Sequence, residues 1–155
     1  MIQNNIATLE YWEQKKMIQT EYIREKVYTY YWDEDLNFAT VMVKILAELH
    51  DLDLQVIESA VGMHGAGGFG AQCGLVEESL MFIGIWRKEN ELSTEKIVDL
   101  CYSFAKNFEQ KFGSLSCSKL RPQGFNANSP PHLCEKLTNK AVKFTAEYLK
   151  DNATC

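Results

Sequence analysis

Six of the nine glycines fall within residues 62–74, and two of the three prolines are the adjacent pair Pro130-Pro131. Glycine and proline are the strongest interrupters of a helix, so gathering them leaves long unbroken stretches on either side. Those stretches carry apolar residues at spacings of three and four rather than in alternation. The pattern predicts an all-α chain: a single-domain bundle of five or six helices, with a glycine-rich loop at 62–74 and no linker or internal repeat dividing residues 1–155.

The clearest helix spans about 93–112. Ile97, Val98, Cys101, Phe104, Ala105, Phe108 and Phe112 share one face, and Lys106, Asn107, Glu109 and Gln110 lie opposite. Ser93 suits its N-cap and Gly113 its left-handed stop. Residues 36–49 are apolar nearly all round, as expected of a central helix covered on several sides. A C-terminal helix over about 132–149 places Leu133, Cys134, Leu137, Ala141, Phe144 and Tyr148 on a core face, with Pro130 and Pro131 setting its entry. An apolar helix through Leu75, Leu80, Ile83 and Trp86 follows the glycines. Two more helices are expected near 6–18 and 20–32, where the stripe of Tyr22, Tyr28, Tyr30, Tyr31 and Trp32 suits a core or a homodimer face.

Composition narrows the function. A chain of 155 residues buries about 70% of its unfolded surface and needs neither disulfide nor metal to stay folded. With 16 basic against 21 acidic residues, a net charge of -5 and no basic cluster beyond pairs such as Lys15-Lys16, nucleic acid and anionic membrane are poor partners. No apolar run is long enough to span a bilayer, and the first residues lack the basic start and apolar core of a signal peptide, so the expected location is cytoplasmic. In a reducing compartment the five cysteines are better suited to burial, ligation or redox work than to structural disulfides.

Chemistry concentrates around the glycines. Cys73 follows Gly65, Gly67, Gly68 and Gly70 and precedes Gly74 at the expected helix start, where free amides and the helix dipole favour a thiolate. His64, alone among the three histidines, lies within the same loop and suits a neutral imidazole ligand. Cys117 and Cys134 flank a Ser/Pro/Asn-rich connection that can fold back to join them. Cys101 lies mid-helix on the Phe104/Phe108 face and reads as packing, and Cys155 ends a polar tail. Glu77, one turn beyond Cys73, suits the dipole of an early helix. No acid, base and nucleophile are spaced as in a small-molecule enzyme, and no C-x-x-C or Glu-x-x-His pair occurs.

The order of these elements resembles the redox-active four-cysteine proteins named for their motif, C_GCAxxG_C_C. The resemblance rests on Asn37-Phe38-Ala39, the glycine loop running into Cys73-Gly74-Leu75-Val76-Glu77-Glu78, Phe112-Gly113-Ser114-Leu115-Ser116-Cys117, and His132-Leu133-Cys134-Glu135. It covers about residues 21–150. It implies a helical protein whose cysteines gather at one end of the bundle, to hold an iron-sulfur cluster or a single iron or zinc ion, or to cycle between thiol and disulfide. Two departures stand out: Phe38 occupies the first cysteine position, and Leu75 and Glu78 replace the Ala and second Gly of the C-G-A-x-x-G element.

Three thiolates cannot by themselves supply a four-cysteine cluster. The expectations are therefore a redox or metal-binding protein using Cys73, Cys117 and Cys134, with His64 as the candidate fourth ligand and a redox protein as partner. The alternative is a member that has lost the metal, binds no cofactor, and acts as an interaction or assembly subunit.

Overall fold

The computed structural model describes residues 2–153 apart from 52, 122, 125 and 127, with the side chains of residues 2–13 and 54 left aside. Its helices are α1 (Ile2–Trp32), α2 (Phe38–His50), α3 (Leu54–Ser59), α4 (Gly74–Glu89), α5 (Thr94–Phe112), α6 (Cys117–Leu120) and α7 (Glu135–Asp151). Single 3-10 turns occupy Ala60–Gly62 and Pro131–Cys134. Among the described residues there is no β-strand, only an isolated antiparallel bridge between Gln72 and Ser116. The architecture is all-α.

The helix inventory differs from expectation in two places. The two N-terminal helices are one continuous α1. Nothing near residue 19 can break it: no glycine or proline occurs there, and Thr20, the polar residue that might compete with the backbone, spends its hydroxyl on Lys16 O within the helix at 2.8 Å. The short helices α3 and α6, too brief for a periodic signal, bring the total to seven among the described residues, above the expected five or six.

Helix α2 is the spine. Asn37 caps it, its Oδ1 accepting from the amides of Ala39 and Thr40, and Asp51 ends it in the left-handed conformation at φ 55. Val41, Met42, Val43, Ile45 and Leu46 are fully buried, because α1, α3, α4 and α7 all pack around it. Tyr31 closes the α1–α7 seam through a 2.7 Å hydroxyl contact with Thr138.

Helix α5 has the expected caps, Ser93 and a left-handed Gly113 at φ 88. Its buried seam is narrower than the periodicity suggests: Phe104 and Phe108 are enclosed by Phe144 and Tyr148, whereas Val98 is 59% exposed. Val98 lies on the flank of the stripe. Leu133, placed on the core face of the last helix by spacing alone, is 43% exposed. It belongs to the preceding 3-10 turn, whose different rotation per residue carries it outward while Cys134 stays inside.

The glycine segment makes a turn of inverted hand. Gly65, Ala66, Gly67 and Gly68 have φ of 60, 56, 68 and 82, and the Gly68 amide donates to His64 O at 2.8 Å. An L-residue avoids this region because its Cβ crowds the carbonyl, so glycines make the turn affordable. Gly74 serves a different need. A Cβ there would lie 2.8 Å from Met63 O and 2.9 Å from both Ala39 Cβ and Phe38 Cε2, so the start of α4 touches α2 with no room for a side chain. Gly74→Ala is therefore expected to destabilise the protein by about 1–3 kcal/mol. The measurement is the urea midpoint at unchanged helical circular dichroism; an unshifted midpoint would contradict this close approach.

Candidate thiol site

Two short backbone contacts build the site. The Cys73 amide donates to Leu115 O at 2.9 Å, and the Cys117 amide donates to Ala71 O at 2.7 Å. These bonds flank the Gln72–Ser116 bridge, so Cys73 and Cys117 point to the same side, opposite to Gln72 and Ser116. Each cysteine also immediately precedes or opens a helix, α4 and α6 respectively. The bundle core closes over them, leaving Cys73 at 2% and Cys117 at 1% exposure. Both are free thiols, and each is the largest influence on the other's ionisation.

The two sulfurs are electrostatically unequal. The neighbouring Cys73 thiol holds Cys117 below its ordinary pKa against the cost of burial, helped by the positive charge of Arg121 and opposed by Glu77. Cys73 is pushed far upward, first by the neighbouring Cys117 and then by burial. The backbone amide of Leu75 does favour a Cys73 thiolate, as a helix start should, but it is outweighed. The helix-start argument for Cys73 thus meets an opposing neighbour: of the two thiols, Cys117 is the one drawn downward and Cys73 the one pushed up.

Cys134, 4% exposed at the entry to α7, feels both Cys117 and Arg121. Burial raises it to about 11, so it stays a neutral thiol. Cys101 is separate, its half-buried Sγ directed at Leu80 O at 3.8 Å. Cys155 lies outside the described residues.

Phe38 is 4% exposed and packs against Gly74 next to Cys73, so an aromatic ring stands beside the thiol pair. His64 meets that ring edge-on at 6.4 Å, and its buried Nδ1 has no hydrogen-bond partner among the described residues. Among those residues no three His, Cys, Asp or Glu side chains are grouped as ligands for one metal ion. Phe38 supplies hydrocarbon where the family pattern has its first sulfur, which leaves that position without a donor. The residues as arranged do not fit a metal centre.

Two buried charged groups escaped the sequence reading. Arg121, 5% exposed, follows Cys117 by four residues, so i,i+4 spacing was the available signal. Glu78 is fully buried, and neither carboxylate oxygen has a hydrogen-bond partner among the described residues. Its signal was an acid at a core position between Leu75 and Phe82. Burial, reinforced by the neighbouring Glu77 charge, pushes Glu78 up to about 7. Glu77 is also raised by burial, though the Ala66 amide of the left-handed turn holds it down in part.

Two predictions follow from these charges. In neutral buffer Cys117 is the first of the described cysteines to be alkylated by iodoacetamide, and Arg121→Gln slows it; peptide mapping that finds Cys73 or Cys134 modified first would overturn the assignment. Glu78, whose native pKa lies above its unfolded value of about 4.3, holds a proton in the folded chain that the unfolded chain releases as pH rises between the two values. Stability therefore falls over that interval, and Glu78→Gln should gain on the order of 3 kcal/mol at pH 8 and almost nothing at pH 4. Urea unfolding at the two pH values gives the comparison.

Compared with known proteins, residues 36–148 match the family described as "Putative redox-active protein (C_GCAxxG_C_C)". No curated protein and no solved structure is significantly similar to the chain. No helix among the described residues is long and apolar enough to cross a membrane.

Proposed function

The chain belongs to the C_GCAxxG_C_C family of redox-active proteins, and on that premise we propose that it works by thiol chemistry, with Cys73 and Cys117 cycling between dithiol and disulfide. The observation that carries this reading is the pair of backbone bonds that set the buried Cys73 and Cys117 on the same side of the Gln72–Ser116 bridge, with Cys117 drawn below and Cys73 pushed above the ordinary thiol range. A thiolate is the attacking species in such exchange, and a second thiol within contact resolves the product.

Burial of both sulfurs favours a small two-electron oxidant over a protein disulfide. With a peroxide, the Cys117 thiolate attacks one oxygen, the O–O bond breaks, and a sulfenic acid and hydroxide result. The Cys73 sulfur then attacks Cys117 Sγ, its proton leaving with the departing hydroxyl as water and a disulfide joining the pair. In a cytoplasmic setting, reducing thiols return the disulfide to the dithiol. Cys134 remains a neutral neighbour throughout.

A second reading, a metal-free interaction or assembly subunit, has its own support in the Phe38 ring beside the pair. An iron-sulfur cluster or a single iron or zinc ion would need Phe38 displaced and the cysteines regrouped. One experiment separates the readings: the chain is purified anaerobically, analysed for metal, exposed to a slight excess of peroxide and digested without reductant. The thiol reading expects a Cys73–Cys117 linked peptide, a dimedone-reactive sulfenic acid trapped at Cys117 in Cys73→Ser, and neither in Cys117→Ser. Three thiols that survive peroxide unchanged favour the assembly reading. Stoichiometric metal with protected cysteines would restore the metal centre.

A further inference from the structure

The aromatic stripe at the end of α1 divides between two environments. Tyr30 and Tyr31 enter the core, whereas Tyr28 is 55% and Trp32 50% exposed. These outer rings stand in a row with His132, which belongs to the 3-10 turn before α7. The Trp32 indole stacks on the His132 ring at 4.4 Å and 22°, and Tyr28, one turn earlier, stacks on Trp32 at 6.1 Å. Trp32 Nε1 also donates to Glu135 Oε2 at 3.0 Å. An aromatic surface open to solvent is thus held in one arrangement before any partner arrives, which lowers the entropy lost on binding.

Beside the rings, a hollow of about 460 Å³ between α1 and the start of α7 is lined by Glu21, Arg24, Glu25, Tyr28 and Glu135. Tyr28 and Glu135 belong both to the ring row and to the hollow, so the two form one surface. Its charges do not balance. The single guanidinium, Arg24, is paired with Glu21 at 2.5 Å, while Glu25 and Glu135 have no ionic partner among the described residues. An aromatic face and two such carboxylates attract a cation, and a planar guanidinium can stack on the ring while it forks to a carboxylate.

We propose that this surface docks a basic segment of a partner protein, with an arginine seated in the hollow against Tyr28 and between Glu25 and Glu135. The charge complementarity selects the basic side chain. The apolar area selects a protein segment over a free small cation: Trp32 and Leu133, the latter 43% exposed and next to His132, lie outside the hollow, where a chain leaving the seated arginine can cover them. A second copy is a poorer occupant, because each chain carries a net charge of -5 and two copies repel. The turn that holds His132 ends at Cys134, so the docked segment sits at the thiol end of the bundle. The proposal goes beyond the thiol reading and is tested on the reduced chain without oxidant, so the failure of one leaves the other standing.

The test is a nuclear magnetic resonance titration of the isotopically labelled, reduced full chain, following the Trp32 indole N–H signal. The probes are the blocked peptide Gly-Arg-Gly-Arg-Gly, the same peptide with citrulline, an uncharged counterpart, at both arginines, and tetramethylammonium chloride. The expected result is a saturable shift with the arginine peptide and binding at least about tenfold weaker with the citrulline peptide. Glu25→Gln and Tyr28→Leu, both at exposed positions that the core does not need, should each weaken the arginine peptide by about two- to fivefold. Equal affinity for the two peptides, or arginine-peptide binding unaltered in both variants, overturns the proposal. So does tetramethylammonium binding as tightly as the arginine peptide, which would make this a small-cation site. A dimer in sedimentation velocity that Tyr28→Leu dissociates would assign the surface to a second copy and overturn it equally.

Discussion

Two hydrogen bonds, from Cys73 N to Leu115 O and from Cys117 N to Ala71 O, hold the functional end of the molecule in register. They are main-chain bonds between segments that are distant in sequence, and they position two buried sulfurs. Without them the left-handed turn before α4 and the connection between α5 and α6 would have no common reference. With them, two helices start within thiol contact of each other. The rest of the site follows from that: α6 brings Arg121 one turn beyond Cys117, and α4 carries Glu77 and Glu78 one turn beyond Cys73 and Gly74.

The division of labour between the two sulfurs is environmental rather than chemical. Identical thiols diverge because each acts on the other in a buried setting and only Cys117 of the two also feels the Arg121 guanidinium. Glu78 is a cost carried in the same region, a carboxyl with no partner among the described residues whose simplest relief is to keep its proton. Phe38 adds bulk where sulfur is expected from the family pattern, and it holds the pair in a carbon-lined pocket. A thiol pair, a buried cation and an aromatic wall together resemble a small reaction vessel more than a ligand shell.

Much of the scaffold was legible because it depends on periodicity and caps. The spine of residues 36–49, the Ser93 and Gly113 ends of α5, and the family pattern across Asn37, Cys73, Cys117 and Cys134 are all local signals. What escaped was nonlocal. The inequality between Cys73 and Cys117 arises from the influence of residues far apart in the chain on each other, and a helix-start argument considers only one of them. Leu133 was misplaced because a single 3-10 turn shifts the phase of the pattern, and Val98 because a stripe drawn on one helix says nothing of how far its neighbour extends. The continuity of α1 was missed for want of a true stop signal, since polarity near residue 19 is not a break.

A disulfide between Cys73 and Cys117 would also link the redox state to the strength of the fold. Cys73 and Cys117 sit at opposite ends of the α4–α5 hairpin, so a bond between their sulfurs would close that whole hairpin into a covalent ring. For a loop of that length the unfolded chain loses conformational entropy worth about 4 kcal/mol. Oxidation would then lengthen the lifetime of the folded chain against heat and proteases, and reduction would shorten it. The persistence of the protein would record the oxidising history of its surroundings.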